Sequence, residues 1–407
     1  MHTRIAAIIS LFIASTQAFA QIITEDLVLT PPDPDKNIYF GSSVTLADGI
    51  LAICAFGAER APDRAGVVYL YDTDSFKLIR KIRPPQASGD TFGRDVQISN
   101  GRIAISAYRP SELPYYEHSI YVFDIQTGAL LSHISNPEHD APSETYFAIR
   151  FALGPDTLAV GDFIDDEFGG YAGGAVFLFN PDTGDLIEKF APDSTSTVDT
   201  FGQNLCFDSD RLIVTSRART AGPDTWGTAF IYDLNPRQET ARLPLHDELN
   251  YASGLIDIDA QDGKILLGNI DRRELRLLDT TNQHPPITMV PQNSTPMDDE
   301  FPSSLAYAPP FAVAMGYFDS SVIHACLFDT TTGDQIARLG PSTSYFGSQF
   351  PNSLAMDDRF IAIGEPTQRA SGSRNVGAVY IYKLDTFAWP LTLPSPMQAL
   401  PPHPALP

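Results

Sequence analysis

The densest carboxylate group in the chain is Asp162, Asp165, Asp166 and Glu167, in the stretch GDFIDDEFGGYAGG. Such a cluster could gather a hard cation or supply an acid–base pair for glycoside hydrolysis. Its glycine-rich flank points instead to a solvated loop, and no context separates an acid from a base. Other chemistry-bearing residues are dispersed. The eight histidines have no metal-ligand spacing. HExxH, GxSxG and phosphate-loop patterns are absent, as is a sialidase-type SxDxGxxW box. Cys54, Cys206 and Cys326 lie in separate apolar runs with no CxxC pair. They read as buried thiols, not as a disulfide framework or a zinc site. The expectation is no catalytic residue, no metal and no cofactor.

A second set of residues has the composition of a recognition surface. Tyr108, Tyr115, Tyr116, Phe163, Phe168, Tyr171 and Trp226 are interleaved with Arg60, Arg109, Arg217 and Arg374, and with Asp165 and Asp166. Aromatic residues and arginine dominate binding hot spots because they bury large areas and still hydrogen-bond. All of them fall in five long segments of variable composition: residues 56–66, 108–118, 162–173, 217–227 and 365–377. The alternative is that these side chains only cover the scaffold beneath them.

The scaffold follows from repetition. A phrase of one type begins at Tyr39 (YFGSSVTL), Thr91 (TFGRDVQI), Tyr146 (YFAIRFAL), Thr200 (TFGQNLCF), Asn250 (NYASGLID), Glu300 (EFPSSLAY) and Tyr345 (YFGSQFPN). Each copy continues with a tight turn and a second apolar run such as ILAICA, RIAISA or FIAIGE. A variable segment then leads to a third run rich in β-branched and aromatic residues, such as VVYLYD, SIYVFD or AVYIYK. A short turn leads to a fourth, such as KLIRKI or ALLSHI. In TFGRDVQISNGRIAIS the Asn100-Gly101 pair separates two alternating runs, a strong hairpin signal because both turn residues take positive φ. Four short strands in each of seven copies make a seven-bladed β-propeller of antiparallel blades. No 3.6-residue periodicity supports an α-solenoid. The long variable segments join strands two and three and therefore share one face of the ring. Blades seven, one, two, three and four carry the long versions; blades five and six have short ones at residues 269–274 and 317–321.

The ends bound the domain. Met1 to Arg4, an apolar run and Ala18-Phe19-Ala20 have the form of a secretory signal peptide cleaved before Gln21. Residues 21–385 are then the propeller, and the proline-rich residues 386–407 read as a disordered or polyproline tail. The fourth strand of the last repeat is proline-broken, so Asp26 to Thr30 is expected to supply it and close the ring. Lys and Arg number 27 against 50 Asp and Glu, a formal net charge of −23. That argues against nucleic acid, which needs a basic footprint. No stretch reaches membrane-spanning length. Asp72, Asp124, Asp233, Asp279 and Asp329 sit at strand ends, where aspartate bonds its own backbone.

The repeats resemble the FG-GAP family, found in the integrin α-subunit propeller and in secreted bacterial proteins. Phe40-Gly41, Phe92-Gly93, Phe201-Gly202 and Phe346-Gly347, each followed by two apolar runs, carry the resemblance. It covers about Tyr39 to Leu384. Blades three, five and six depart from it, with Phe147-Ala148, Tyr251-Ala252 and Phe301-Pro302. Integrin-like repeats often hold a DxDxDG calcium loop, whose place is taken here by a tight turn with no room for six oxygen ligands. The runs YVFDIQTGALL and FLFNPDTGDLI are also similar to quinoprotein (PQQ-type) propellers. Those carry a docking tryptophan in nearly every blade, and this chain has only Trp226 and Trp389.

The combined expectation is a secreted, monomeric, non-enzymatic module that binds a protein or glycan through its long-loop face. The alternatives are an oxidoreductase or hydrolase with a site in the central channel, and a structural cell-surface component.

Overall fold

A computed structural model of the chain describes residues 21–34, 37–58, 66–85, 91–110, 116–138, 146–163, 173–192, 198–218, 227–245, 255–269, 272–281, 283–292, 301–318, 322–342, 350–369 and 375–386. Two short strands, β1 (Gln21–Ile23) and β2 (Leu27–Leu29), precede the repeats. Blade one is β3 (Phe40–Ala47), β4 (Ile50–Ala55), β5 (Val67–Asp72) and β6 (Leu78–Ile82). Blade two is β7 (Thr91–Ser99), β8 (Arg102–Pro110), β9 (Tyr116–Asp124) and β10 (Leu130–Ser135). Blade three is β11 (Arg150–Leu153), β12 (Leu158–Asp162), β13 (Ala175–Phe179) and β14 (Leu186–Phe190). In blade four the inner strand is broken into β15 (Val198–Asp199) and β16 (Leu205–Asp208), both paired with β17 (Arg211–Ala218). Strands β18 (Gly227–Leu234) and β19 (Arg237–Leu245) complete it.

Blade five is β20 (Leu255–Gln261), β21 (Lys264–Asn269), β22 (Glu274–Asp279) and β23 (Ile287–Met289). Blade six is β24 (Ser304–Ala308), β25 (Phe311–Phe318), β26 (Val322–Asp329) and β27 (Gln335–Leu339). Blade seven has β28 (Ser353–Met356), β29 (Phe360–Glu365) and β30 (Ala378–Lys383). The only described helix is a single 3-10 turn at Leu384–Thr386. The seven sheets are those of a seven-bladed propeller.

The turns form as the sequence dictates. Asn100 and Gly101 both take positive φ, 50° and 74°, as the two-residue hairpin turn requires. Four of the strand-end aspartates accept a backbone N–H from the following turn: Asp72 from Ser75, Asp124 from Thr127, Asp279 from Thr281 and Asp329 from Thr331.

The blades are joined by seven apolar clusters among the described residues, one at each seam of the ring. Six seams share one wedge, the phenylalanine that opens the repeat. Phe40, Phe92, Phe147, Phe201, Phe301 and Phe350 are all buried. Five of them meet an aromatic ring of their own blade's third strand edge-on, with centroids 5.2–5.7 Å apart: Phe40 on Tyr69, Phe92 on Tyr121, Phe147 on Phe177, Phe201 on Phe230 and Phe350 on Tyr380. Truncating such a ring costs about 3–5 kcal/mol.

The backbone around the wedge contacts the preceding blade. The Phe40 N–H donates to Val376 and the Phe201 N–H to Gly173, both at 3.1 Å. Gly377 and Gly174 precede the third strands of those preceding blades at φ +89° and +80°, and a Cβ on either would be driven into the wedge's carbonyl oxygen. Only glycine allows that approach.

One assignment from the sequence moves. The repeat pattern opens blade seven at Phe346-Gly347, which lies outside the described residues. Phe350-Pro351 holds the structural place instead. The pairing of Ser353 with Gly364 and Leu354 with Ile363 matches that of Ser304 with Met315 and Leu305 with Ala314, which follow Phe301-Pro302.

The ring closes through the N-terminal segment. Strand β2 pairs antiparallel with β30, Val28 opposite Tyr380, and supplies the fourth strand of blade seven. Strand β1 adds a feature the sequence did not signal: it pairs parallel with β27 as a fifth strand on blade six. One short segment thus spans two blades. Ile23 and Leu27 pack against the two seams flanking blade seven. The Glu25 carboxylate accepts the Ser342 N–H at 2.8 Å, and Asp26 accepts that of Lys383 at 2.7 Å. A variant lacking residues 21–29 should therefore melt about 10 °C or more below the intact chain. An unchanged melting curve would remove the closing role from this segment.

Candidate functional site

The inner strands β3, β7, β11, β16, β20, β24 and β28 surround a central channel of about 840 Å³. The wedge also determines what lines it. Between Phe40 and Val44, and between Phe92 and Val96, the ladder shifts register. The extra residues bulge away from regular pairing and turn polar side chains toward the axis. Strand registers place Ser43, Asp95, Arg150, Asn204, Asp257, Ser304 and Ser353 at one level around the channel. Thr45, Gln97, Cys206, Asp259, Ala306 and Ala355 lie at the next lining level.

Several of these groups bond across the seams. The inner edge of each blade presents backbone groups with no ladder partner, and a buried edge must satisfy them. Gln97 does so at blade three, donating to the Phe151 carbonyl at 2.8 Å and accepting the Leu153 N–H at 2.9 Å. Asp257 accepts the Leu305 N–H and the Ser304 hydroxyl of blade six, each at 3.3 Å. Asp259 accepts the Tyr307 N–H at 2.8 Å with one oxygen and its neighbour Ala260 with the other. Asp95 accepts the Ser43 hydroxyl of blade one at 3.1 Å and the Val96 N–H at 2.8 Å.

Removal from water dominates the electrostatics. Burial pushes the Asp259 carboxyl up to about 7, against the pull of its two backbone bonds and with a further push from Asp257. Asp257 and Asp95 are also raised by burial, and the Arg150 guanidinium draws both back down. The Cys206 thiol is held well above its ordinary value by burial and by Asp259, Asp257 and Asp208. Cys206 is half-buried in the channel wall, whereas Cys54 and Cys326 are fully buried. Among the described residues no group of three His, Cys, Asp or Glu side chains is arranged to hold a metal ion. Asp259 has the pKa of a general acid or base, but both its oxygens are committed to backbone N–H groups.

At the strand two–three end of the channel Phe56, Arg94 and His118 line the wall, with further aromatic side chains packed behind them. Tyr39 and Phe56 stack at 4.7 Å in blade one, just past the end of β4. Tyr146 and Phe163 meet at 4.8 Å in blade three, just past the end of β12. Between them, in blade two, Tyr108 lies 5.9 Å from His118, its cross-strand partner. The Arg94 guanidinium contacts both Phe56, at 5.9 Å, and Tyr108, at 5.0 Å. Burial and Arg94 hold His118 below its usual pKa, so its ring is neutral at pH 7.

Of the residues expected from sequence to bind, Tyr108 and Phe163 are described: Tyr108 meets Arg94 and His118 in blade two, and Phe163 pairs separately with Tyr146 in blade three. Arg109, Tyr116 and Arg217 lie in β8, β9 and β17, with only their backbone described. Arg60, Tyr115, Asp165, Asp166, Phe168, Tyr171, Trp226 and Arg374 lie outside the described residues, as does most of the acidic cluster. Its first member, Asp162, is buried and accepts the Tyr146 N–H at 3.3 Å. The sequence reading missed Tyr39, Phe56, Arg94, His118, Tyr146 and Arg150. A column comparison carries the signal for Arg94: the residue before the polar level is serine, isoleucine, glutamine, serine and asparagine in blades one, three, four, six and seven, and arginine only in blade two.

The Asp259 shift sets a pH dependence. Its folded pKa, about 7, lies above the ordinary 3.8, so the folded chain holds this proton more tightly than the unfolded chain. The group's contribution to stability is full below pH 3.8 and falls as the pH rises toward 7. In denaturation at pH 5 and pH 8, Asp259→Asn should lose less stability across the interval than the unmodified chain. Equal losses would mean that Asp259 titrates normally.

No family model matches the chain, and no curated protein matches it. Solved structures do. One is a chain of the "Crystal Structure of Mitotic Checkpoint Complex", with 12% identity, 94% of this chain and 99% of that chain covered, and a TM-score of 0.54. Another is the Cps50 (Swd1) β-propeller domain of Myceliophteria thermophila, also 12% identical, covering 88% and 99% with a TM-score of 0.54. A third is U3-55K, at 12% identity, 87% and 98% coverage and a TM-score of 0.53. At this identity the likeness is one of fold alone: the chain is a β-propeller. No described helix is long and apolar enough to cross a membrane.

Proposed function

We propose that this chain is an exported, non-enzymatic recognition module that binds a protein partner on its strand two–three face. The observation that carries the reading is the set of aromatic side chains at the strand two–three ends of blades one to three, with the Arg94 guanidinium over Phe56 and Tyr108. It lies at the base of the long variable segments, and loops on a rigid scaffold are where binding residues concentrate. Aromatic and arginine side chains are the types that anchor protein interfaces.

The channel supports the non-enzymatic part. Asp257 and Asp259 accept backbone N–H groups of the next blade, which is the work of an edge cap. The propeller of the mitotic checkpoint complex belongs to a protein assembly, which favours a protein ligand over a glycan. Export rests on the leader-like sequence of residues 1–20. Membership of the FG-GAP family rests on the Phe-Gly pairs, three of which open blades one, two and four. The module acts as a monomer in this reading, since the ring closes within one chain.

The test is capture from the secreted fraction of the native host with Tyr108→Ala and Phe163→Ala. Neither side chain belongs to an apolar cluster at a seam, so the melting temperature should stay within a few degrees. A protein retained by the unmodified chain should fall at least tenfold with either variant. Retention unchanged in both would move the binding face elsewhere, and loss of a glycan in place of a protein would correct the ligand class.

A further inference from the structure

We propose that the channel mouth at blade two is a carboxylate-binding site, with Arg94 as the anchor for a glutamate or aspartate side chain of the partner. The inference rests on the reading of this face as the recognition face.

Elsewhere on the molecule several arginines pair with an acid, Arg102 with Asp182, Arg237 with Glu188 and Arg359 with Asp74, and Arg80 donates to the Gln126 carbonyl. Arg94 is exposed, lines the channel, and makes no hydrogen bond or ion pair among the described residues. Its described contacts are the rings of Phe56 and Tyr108 and the field it exerts on His118.

Asp95, its neighbour in sequence, does not answer it. The Asp95 carboxyl is turned to the Ser43 hydroxyl and the Val96 N–H, and the cation that acts on it is Arg150 of blade three. Arg150 thus sets off the acid that would otherwise cancel Arg94.

The Arg94 guanidinium lies over the Phe56 and Tyr108 rings at 5.9 and 5.0 Å, a cation–π contact that offers its N–H donors no oxygen acceptor. The edge of a guanidinium matches a coplanar carboxylate in a bidentate pair, the strong form of charge-assisted hydrogen bond. The rings on Phe56 and Tyr108 hold the fork in position, so less side-chain entropy is lost on binding. The neutral His118 adds no competing charge. A carboxylate is favoured over a bare aliphatic group because an apolar ligand would leave the guanidinium edge unpaired.

The probe is a dye-labelled tetraglutamate peptide with capped ends, followed by fluorescence anisotropy at low and at physiological salt. Tetraglutamine is its neutral counterpart. The full chain should bind tetraglutamate at least tenfold more tightly than tetraglutamine, and Arg94→Met should abolish the difference. Arg94→Lys should restore part of it, keeping the charge without the fork. Arg102→Met, at the opposite face, should change nothing. Equal binding of the two peptides, absence of binding, or an unaltered preference in Arg94→Met would each overturn the proposal. If capture of the partner still depends on Tyr108 in that event, the recognition face stands and only its carboxylate chemistry falls. If capture is also indifferent to Tyr108, the face itself was misread.

Discussion

Everything in this molecule depends on the phenylalanine wedge between blades. A single four-stranded sheet has two apolar faces and no means of covering either. The wedge fixes how one sheet meets the next: its ring packs edge-on against its own blade, and its backbone lies on the glycine before the third strand of the preceding one. Phe40 on Tyr69 with Gly377, and Phe201 on Phe230 with Gly174, are the same contact at different seams. Repeated around a ring, it also joins the last blade to the first, where Phe40 meets Gly377. The N-terminal segment adds a second tie, pairing β2 with β30 of blade seven and β1 with β27 of blade six.

The wedge also produces the site. Seating the phenylalanine forces a bulge, and the bulge delivers the next residues to the channel instead of to a seam. Whatever evolution places there is presented on a rigid ring at low structural cost, which is why this level carries serine, aspartate, arginine and asparagine in different blades. Some of those residues serve the neighbouring blade's open edge, as Asp257 and Asp259 do. Arg94 serves no seam, and its rings come from the ends of β4 and β8, where the variable segments begin.

The blades, the turns and the closing β2 were legible in the sequence because each rests on a local signal. Asn100-Gly101 announces a turn, and alternation such as Ile103-Ala104-Ile105 announces a strand covered on both sides. Strand β1 was not legible: three residues in parallel pairing have no turn and no period to mark them. The opening of blade seven was misplaced because Phe346-Gly347 has the better letter match. Phe350-Pro351 nevertheless fills the seat, since the wedge needs a buried ring more than a particular successor. At the site, Tyr108 and Phe163 were found from their segments. Arg94 and Arg150 were not, because they stand in the repeat's opening phrase, where every residue looks like scaffold until blades are compared column by column.

The wedge is tested most directly by a pair of glycine substitutions. Gly174→Ala and Gly101→Ala both place a side chain at positive φ, +80° and +74°, so they share the same local backbone cost of about 1–2 kcal/mol. Only the first drives a methyl group into the wedge of the next blade; Gly101 has nothing within 4 Å. In equilibrium denaturation Gly174→Ala should lose at least about 2 kcal/mol more than Gly101→Ala, an increment typical of overpacking. Equal losses in the two variants would contradict the claim that this contact holds the ring together.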